Sequence, residues 1–390
     1  MSAQTPQNRL GTYVTSTVTG ETVRAFIPPP LPPVPELQLN GLLQYLDRAN
    51  QGLGRLNGMT KLLPDIRFLL YLYVRKEALV SSQIEGTQSS FADLLLYENE
   101  AKPHVPVQDV EEVSNYVAAM QHGLKRLKGG FPLSLRLIRE IHAILLRGGR
   151  GANKMPGEFR RSQNWIGGTR PGNASFVPPP PDRLMECLNE FENFLHDDKH
   201  KLPVLVEAGL VHVQFESIHP FLDGNGRVGR LLITLLLCAK GALSEPLLYP
   251  SLFFKTHRNR YYELLQRVRT EGAWEDWLAF FLDGVASTAH EAADTAERTL
   301  KLFAKNRSKI EKLGRGAASA LSVHELMQTS PYLRIRTAAK ALRLTVPTVT
   351  SALNHLMELG IVKEISGRQR DRLFAYSEYV RMVSGDTEPL

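Results

Sequence analysis

The sequence predicts a mainly α-helical protein with one β-hairpin and a C-terminal winged helix. Apolar residues recur every three to four positions through most of the chain from Leu37 to Lys305, which is the period of an amphipathic helix. Two short β-like segments, Ser162–Ile166 and Ala174–Val177, enclose a loop rich in Gly and Asn, which is typical of a hairpin. Residues 314–390 read helix, helix, turn, helix and two strands, the pattern of a winged helix.

The length and composition predict a cytoplasmic protein of two to three domains. The number of domains follows from the length, because 390 residues exceed one ordinary core. Hydrophobic residues make up 43% and charged residues 22%, which is typical of a globular protein. The net charge of +7 fits an anionic ligand or nucleic acid and fits an uneven solvated surface equally well. Cys187 and Cys238 lie in apolar contexts, which predicts buried free thiols. The first residues lack the apolar segment of a signal peptide, and no apolar run approaches the roughly 20 residues of a membrane span.

Residues 1–36 are predicted to form an N-terminal arm. Residues 1–27 are polar and rich in Thr, so we expect them to lie on the surface or to be partly disordered. The run PPPLPPVP at Pro28–Pro35 favours polyproline II and a docked, stiff segment. A ligand for an SH3-type domain is the alternative for the same run.

Residues 37–106 are predicted to form an N-terminal helical domain. Its best-defined helix lies between Pro64–Asp65, a typical start, and Gly86, a typical stop. Its apolar positions are Ile66, Leu70, Tyr73, Val80 and Ile84. Glu85 lies in the last turn, where the helix dipole disfavours an anion by a few tenths to about 1 kcal/mol. We therefore expect Glu85 to have a cationic partner or to be solvated.

Residues 107–313 are predicted to form the largest domain, a helical core that carries the hairpin. Two helices are expected within 107–147, separated at Gly129–Pro132. Further helices are expected at Leu184–Leu195, Val204–Ile218, Arg227–Lys240, Tyr261–Val268 and Trp274–Lys305. The small residues of Gly314–Ala318 predict the boundary with the last domain, 314–390.

The stretch His219–Arg230, HPFLDGNGRVGR, has the highest density of chemically useful groups in the chain. Gly224 and Gly226 permit positive φ, so their loop can turn backbone N–H groups toward an anion at the start of the next helix. Arg227 and Arg230 are three residues apart and share a helix face, where both can bind phosphate. Asp223 is positioned for Mg²⁺, and His219 for general base catalysis.

Other interpretations of this stretch are weaker. Gly224, Gly226 and Gly229 also match the dinucleotide-binding GxGxxG pattern, but that pattern requires a preceding strand and Val204–Ile218 has a helical period. No P-loop sequence is present. The plainest alternative is a tight helix–loop–helix turn with surface arginines.

The stretch His219–Arg230 resembles the HPFxDGNGRxxR signature of Fic-domain proteins at every fixed position. Upstream, Ser81–Gly86 (SSQIEG) is similar to the inhibitory [S/T]xxxE[G/N] motif of that family. The resemblance implies a Fic helical core with a β-hairpin flap (162–177), an N-terminal domain carrying an inhibitory helix, and a C-terminal winged helix.

The resemblance also implies a reaction, the transfer of AMP from ATP to a Ser, Thr or Tyr hydroxyl of a target protein and of the chain itself. His219 would deprotonate the hydroxyl, Asp223 would hold Mg²⁺, and the target segment would pair along the flap. The implied nucleotide-binding residues are Gly224, Asn225, Gly226, Arg227, Val228, Gly229 and Arg230, with Arg227 at the β-phosphate and Arg230 at the γ-phosphate. Tyr261 or Tyr262 would contact the adenine, although both could equally be core aromatics.

The inhibitory motif implies that Glu85 pairs with Arg230 and competes with the γ-phosphate, which would hold the enzyme in an off state. Ser81 would fix the motif by a local hydrogen bond, and Gly86 completes it. Two alternatives remain: removal of AMP from a modified protein, with Glu85 orienting water, and a DNA-binding regulator whose Fic core senses nucleotide.

The winged helix suggests DNA as a partner, or else a protein or a second copy of the chain. The candidate contacts are Thr348, Thr350, Ser351, Asn354 and His355 on its third helix, Arg368, Arg370 and Arg372 on its wing, and Lys340 and Arg343. Acidic neighbours reduce the local positive charge, so the sequence leaves these partners open.

Overall fold

A computed structural model describes residues 9–18, 20–62, 66–148, 150–197, 201–367, 372–385 and 387–388. The protein is mainly helical with a small antiparallel sheet near its C-terminus and a two-stranded hairpin near its N-terminus. Among these residues, no helix is both long enough and apolar enough to cross a membrane.

The N-terminal segment contains a β-hairpin, which the prediction of a surface or partly disordered arm did not include. Strands β1 (Thr12–Val18) and β2 (Glu21–Ile27) pair antiparallel, with Thr12 opposite Ile27. The many Thr and Val residues favour strands. Because the Thr residues make one face of the hairpin polar, its apolar face is hard to recognise in the sequence. That apolar face packs against Val177 of the flap.

The proline-rich segment that follows is docked, as predicted. Gln214 Nε2 donates a hydrogen bond to the Pro29 carbonyl at 2.8 Å, and Arg9 Nε donates to the Pro35 carbonyl at 2.8 Å. The first bond fastens the segment to helix Val204–Ile218 of the core, and the second joins its end to the residue that precedes the hairpin.

Three helices precede the core, as the helical period predicts. They are α1 (Leu43–Leu62), α2 (Arg67–Ile84) and α3 (Phe91–Glu98). The predicted start of α2 at Pro64–Asp65 lies outside the described residues, whereas its end, just before Glu85, agrees with the predicted stop. Helix α2 is buried along most of its length, so its C-terminal turn is held firmly.

The core helices agree closely with the predicted segments. They are α4 (Val107–Lys128), α5 (Leu135–Leu145), α6 (Pro181–His196), α7 (Val204–Ile218), α8 (Asn225–Ala239), α9 (Ser251–Thr256), α10 (Arg258–Glu271) and α11 (Trp274–Ile310). Helices α7 and α8 pack together at the centre of the core, and nearly every residue of α7 after Val204 is buried. Only the short α9 was missed, since six residues are too few to show a helical period.

The flap (162–177) does not form the predicted strands. A single antiparallel bridge joins Ile166 and Phe176, with the Ile166 N–H donating to the Phe176 carbonyl at 2.8 Å. Gly167 and Gly168 both have positive φ, which breaks the extended conformation directly after the bridge. The flap leans on the N-terminal hairpin, where the Phe26 N–H donates to the Val177 carbonyl at 2.9 Å.

The C-terminal residues have the predicted helices and paired strands in the predicted order. They are α12 (Ala317–Thr329), β3 (Tyr332–Arg334), α13 (Ile335–Leu342), α14 (Val346–Glu358), β4 (Lys363–Glu364), β5 (Leu373–Ala375) and α15 (Ser377–Ser384). The sheet order is β3-β5-β4, and both β3 and α15 were missed. A 3₁₀ segment, Glu311–Gly316, joins α11 to α12 at the predicted boundary, so the connection is a helical kink at Gly314.

The proposed DNA contacts of this region are only partly described. Ser351 and Asn354 are exposed on α14, as are Lys340 and Arg343 nearby. Arg368 and Arg370 lie outside the described residues. A role in DNA binding stays a prediction.

The packing of α7 against α11 generates a stability prediction. Trp277 is fully buried, and its Nε1 donates a hydrogen bond to the Gly209 carbonyl at 2.8 Å. The substitution Trp277→Phe removes that bond and part of the packing, so we expect the free energy of unfolding to fall by about 1–3 kcal/mol. Thermal unfolding measures the change. Trp165→Phe, at a half-buried flap position, is the control, and an equal loss in both variants would contradict the assignment.

Candidate active site

The loop between α7 and α8 is shaped by two residues in the left-handed conformation. His219 caps the C-terminus of α7 with φ 49° and ψ 60°, and its N–H donates to the Phe215 carbonyl at 2.9 Å. Gly224 has φ 76° and forms the N-cap of α8. A left-handed residue turns the chain sharply. The Glu85 carboxylate lies near both ends of this loop, since Arg230, Arg227 and His219 all lower its pKa.

Phe221 and Asn225 hold this loop in place. The fully buried Phe221 ring stacks on His142, with ring centroids 3.7 Å apart. The Asn225 side chain bonds both backbone groups of Phe221, accepting from its N–H and donating to its carbonyl, each at 2.8 Å. The Asn225 amide is therefore committed to the loop scaffold, and what the loop offers to an anion is its backbone.

The first turn of α8 has the features of an anion-binding position. The N–H groups at the start of a helix have no intrahelical acceptor, and the helix dipole adds positive potential there. A Cβ atom on Gly226 would collide with Glu85 Oε1 and would lie 2.9 Å from Arg230 Nη1. The Glu85 carboxylate thus lies directly against the first turn of α8, and only glycine leaves room for it.

The Arg230 guanidinium donates hydrogen bonds to the end of α2. Its Nη2 donates to Glu85 Oε1 at 2.6 Å and to the Ser81 carbonyl at 3.0 Å, while its Nε donates to Ser81 Oγ at 2.9 Å. The Arg230 side chain is only 1% exposed, whereas that of Glu85 is 36% exposed. Desolvation would raise the pKa of Glu85, but Arg230 more than offsets this and holds that pKa below its usual value.

Asp223 and Arg227 form a second charged group beside the loop. Arg227 Nη2 lies 3.3 Å from Asp223 Oδ1, and its Nη1 lies 3.0 Å from Glu112 Oε2 on α4. The Asp223 carboxylate is 38% exposed, so it can reach a ligand. In the described part of the chain, no cluster of three acidic, His or Cys side chains could hold a metal alone. A single accessible carboxylate fits Mg²⁺ that takes its other ligands from phosphates and water.

The His219 imidazole is neutral in this environment. Burial lowers its pKa to about 3, and the nearby Arg269 and Arg160 lower it further. Its Nδ1 is buried without a hydrogen-bond partner among the described residues. The Arg160 Nε donates to the His219 carbonyl at 3.0 Å, which fixes the backbone beneath the ring. A neutral imidazole fixed at this position can accept a proton.

Comparisons with known proteins agree with this geometry. The Fic/DOC family N-terminal model matches residues 43–125, and the Fic/DOC family model matches residues 132–237, which include the loop and the first turns of α8. The chain therefore contains a Fic N-terminal domain followed by a Fic domain.

Two curated relatives named protein adenylyltransferase Fic, from Aedes aegypti and Culex quinquefasciatus, are 35% and 33% identical to this chain over 56% of its length. The matched region spans only about two fifths of each relative, 40% and 39%. A Fic family protein from Desulfovibrio desulfuricans G20 has a crystal structure that matches with a TM-score of 0.58 at 20% identity, covering 87% of this chain and 97% of that one. That likeness shows the Fic fold.

The remaining predicted nucleotide contacts of the Fic domain are not all brought to the loop. Tyr261 is 1% exposed, and its hydroxyl is hydrogen-bonded to His212 Nε2 at 2.8 Å, so it lies in the core. Tyr262 is 42% exposed and is the more accessible of the two. The Val228 side chain is fully buried in the core, and Gly229 lies against Glu216 Oε1. Their roles in nucleotide binding stay predictions.

Three buried carboxylates of the Fic site were missed by sequence reasoning. The first, Glu112, contacts Arg227. The second is Glu216, whose pKa is raised by burial to about 7 and whose Oε1 has no hydrogen-bond partner among the described residues. Glu77 on α2 accepts a hydrogen bond from Ser251 Oγ at 2.5 Å, and burial raises its pKa to about 7. Each occupies a position within a helix where a surface charge would be the ordinary interpretation, so the sequence carried no signal for them.

The state of the His219 ring can be measured. Because the folded ring binds a proton only near pH 3 while an unfolded histidine does so near about 6.5, we expect a neutral ring throughout about pH 5–8. By the same difference, His219 contributes stability that is lost as the pH falls from about 6.5 toward 3. Heteronuclear NMR of labelled histidine, with the signal assigned by His219→Gln, tests this. A titration midpoint near the ordinary histidine value would contradict it.

Proposed function

We propose that this chain is a protein adenylyltransferase that transfers AMP from ATP to a Ser, Thr or Tyr hydroxyl of target proteins and of itself. The observation that carries the proposal is the convergence of a neutral imidazole at His219 with the free N–H groups of the α8 N-terminus and the guanidinium of Arg227. Phosphoryl-type transfer requires positioning and charge neutralisation more than covalent chemistry, and this arrangement provides both.

In the proposed reaction, His219 takes the proton from the target hydroxyl. The hydroxyl oxygen forms a bond to the α-phosphorus of ATP, and the bond from that phosphorus to the bridging oxygen breaks, releasing pyrophosphate. The backbone at Gly224 and Gly226 would cradle the phosphates, with Arg227 at the β-phosphate and Arg230 at the γ-phosphate.

Mg²⁺ fits the proposal through Asp223, the accessible carboxylate beside the loop. When bound, the ion would neutralise charge on the α- and β-phosphates. Asp223 would hold it by one carboxylate oxygen, in exchange for the present contact with Arg227.

We also propose that Glu85 holds the enzyme in an off state. The support is that Arg230 donates its hydrogen bonds to Glu85 and Ser81, both at the end of α2. A γ-phosphate and the Glu85 carboxylate would need the same guanidinium, and two anions cannot share it at close range without repulsion. Nucleotide would then bind poorly or in an unproductive pose.

The flap (162–177) is the proposed contact strip for the target. Residues 167–170 are exposed, and the regular ladder stops at the bridge between Ile166 and Phe176, which leaves backbone groups for pairing with an extended segment.

Removal of AMP from a modified protein is the second candidate, because the Glu85 carboxylate lies against the first turn of α8, where it could orient a water molecule.

The off-state proposal predicts that Glu85→Gly raises AMP transfer. Removing a charge-assisted hydrogen bond worth about 1.5–3 kcal/mol frees Arg230, so we expect self-modification with α-³²P-labelled ATP to increase by about tenfold or more. His219→Ala in the same background should abolish the label.

Glu100→Gly is the matched control, because Glu100 is exposed and has a positive φ that glycine adopts without strain. Its transfer rate should equal that of the wild type. An unchanged rate in Glu85→Gly would refute the off state, and label that persists in His219→Ala would refute the proposed role of His219.

A metal requirement is the next expectation. Transfer by Glu85→Gly should disappear with EDTA and return with Mg²⁺. Asp223→Asn in that background should lower the rate at limiting Mg²⁺ by about tenfold or more, since it removes the accessible carboxylate beside the loop. The exposed Asp182 provides the control variant Asp182→Asn, and equal Mg²⁺ titrations for both variants would exclude Asp223 as the metal ligand.

A further inference from the structure

Glu112 on α4 is a buried carboxylate that reaches the active-site loop from outside the Fic signature. Its side chain is 4% exposed, and its two oxygens bind two different arginines. Oε2 lies 3.0 Å from Arg227 Nη1, and Oε1 accepts from Arg150 Nε at 2.6 Å. Desolvating a carboxylate this deeply buried costs free energy, and the ion pairs with the two arginines offset that cost.

The guanidinium of Arg227 is held at both of its terminal nitrogens. Nη1 contacts Glu112 and Nη2 contacts Asp223, while Nε is buried and has no hydrogen-bond partner among the described residues. The side chain is 4% exposed, so few other orientations are open to it. A planar group pinned at one end by a fixed carboxylate presents its remaining N–H groups in one direction.

From this geometry we infer that Glu112 is a positioning residue that fixes Arg227 and thereby leaves Asp223 free to exchange its arginine for a metal ion. The inference rests on the adenylyltransferase function proposed above. Two carboxylates and two arginines balance in charge while Asp223 faces Arg227. When Asp223 turns to bind Mg²⁺, Arg227 loses one carboxylate but keeps Glu112, so it neither swings away nor is left as a lone buried cation.

Without Glu112, Asp223 would be the only carboxylate among the described residues in contact with Arg227. A paired Asp223 is a poorer metal ligand, because binding the ion would require breaking the ion pair and would leave Arg227 uncompensated. Loss of Glu112 therefore has two distinct consequences: Arg227 is less well oriented toward the leaving pyrophosphate, and a higher Mg²⁺ concentration is needed to engage Asp223.

The test compares Glu112→Gln with its parent Glu85→Gly, both in the full chain. In steady-state transfer with labelled ATP, we expect kcat to fall by about 10- to 100-fold with a smaller change in KM, since orientation at the leaving group matters most in the transition state. In a separate binding titration with a fluorescent ATP analogue, the Mg²⁺ concentration for half-maximal binding should rise at least severalfold. A loss caused only by altered folding would not produce that shift.

Two further variants make the outcome decisive. Asp109, one turn earlier on α4, contacts Arg150 at 3.6 Å, whereas the ion pairs of Arg227 are with Glu112 and Asp223. The substitution Asp109→Asn should therefore leave the Mg²⁺ titration unchanged. In the Arg227→Gln background, adding Glu112→Gln should cause little further loss of kcat, because the residue through which Glu112 acts is gone. Additive losses in this cycle, or an unshifted Mg²⁺ titration in a variant with unchanged Tm, would overturn the inference. If the parent transfers no AMP at all, the proposed function fails, whereas the binding titration still decides the role of Glu112.

Discussion

The arrangement of the whole active site depends on the buried guanidinium of Arg230. It extends from the central helix α8 to the end of α2, so one side chain ties the Fic core to the preceding helical domain. A buried ion pair contributes little net stability, because desolvation offsets most of its attraction. A cation that is only 1% exposed needs an anionic partner, and here that partner is Glu85. In the proposed function, the identity of this anion would distinguish the off state from the on state.

The same need for an anionic partner applies to Arg227, which lies one turn before Arg230 on α8. Arg230 faces one carboxylate that a phosphate would replace, whereas Arg227 faces two, of which only Asp223 is accessible. The surrounding helices thus provide different carboxylate partners for the two arginines of the signature. Helix α2 supplies a competitor for Arg230, and α4 supplies a permanent partner for Arg227.

The sequence predicted the helices and the loop well because both depend on local signals. The apolar period located α7 to the residue, and the glycines of the loop correctly indicated positive φ at Gly224. From the helix dipole it predicted that Glu85 would have a cationic partner or be solvated, and the structure shows Arg230 as that partner. It could not find the N-terminal hairpin, whose apolar face is complete only with Val177, 150 residues away from the nearest strand end. Glu112 was missed for the same reason, since its partners come from other parts of the chain.

Gly226 connects these observations. The position needs no side chain for phosphate binding, since the backbone must approach the anion, and it needs none for the Glu85 contact, since a Cβ would collide with that carboxylate. In the proposed off state, the Glu85 carboxylate occupies the space above the first turn of α8 that a phosphate would need. It would exclude the phosphate by volume as well as by charge, so competition at Arg230 and obstruction at Gly226 would act together. A substitution that only weakens the ion pair removes one of these effects, whereas removal of the Glu85 side chain removes both.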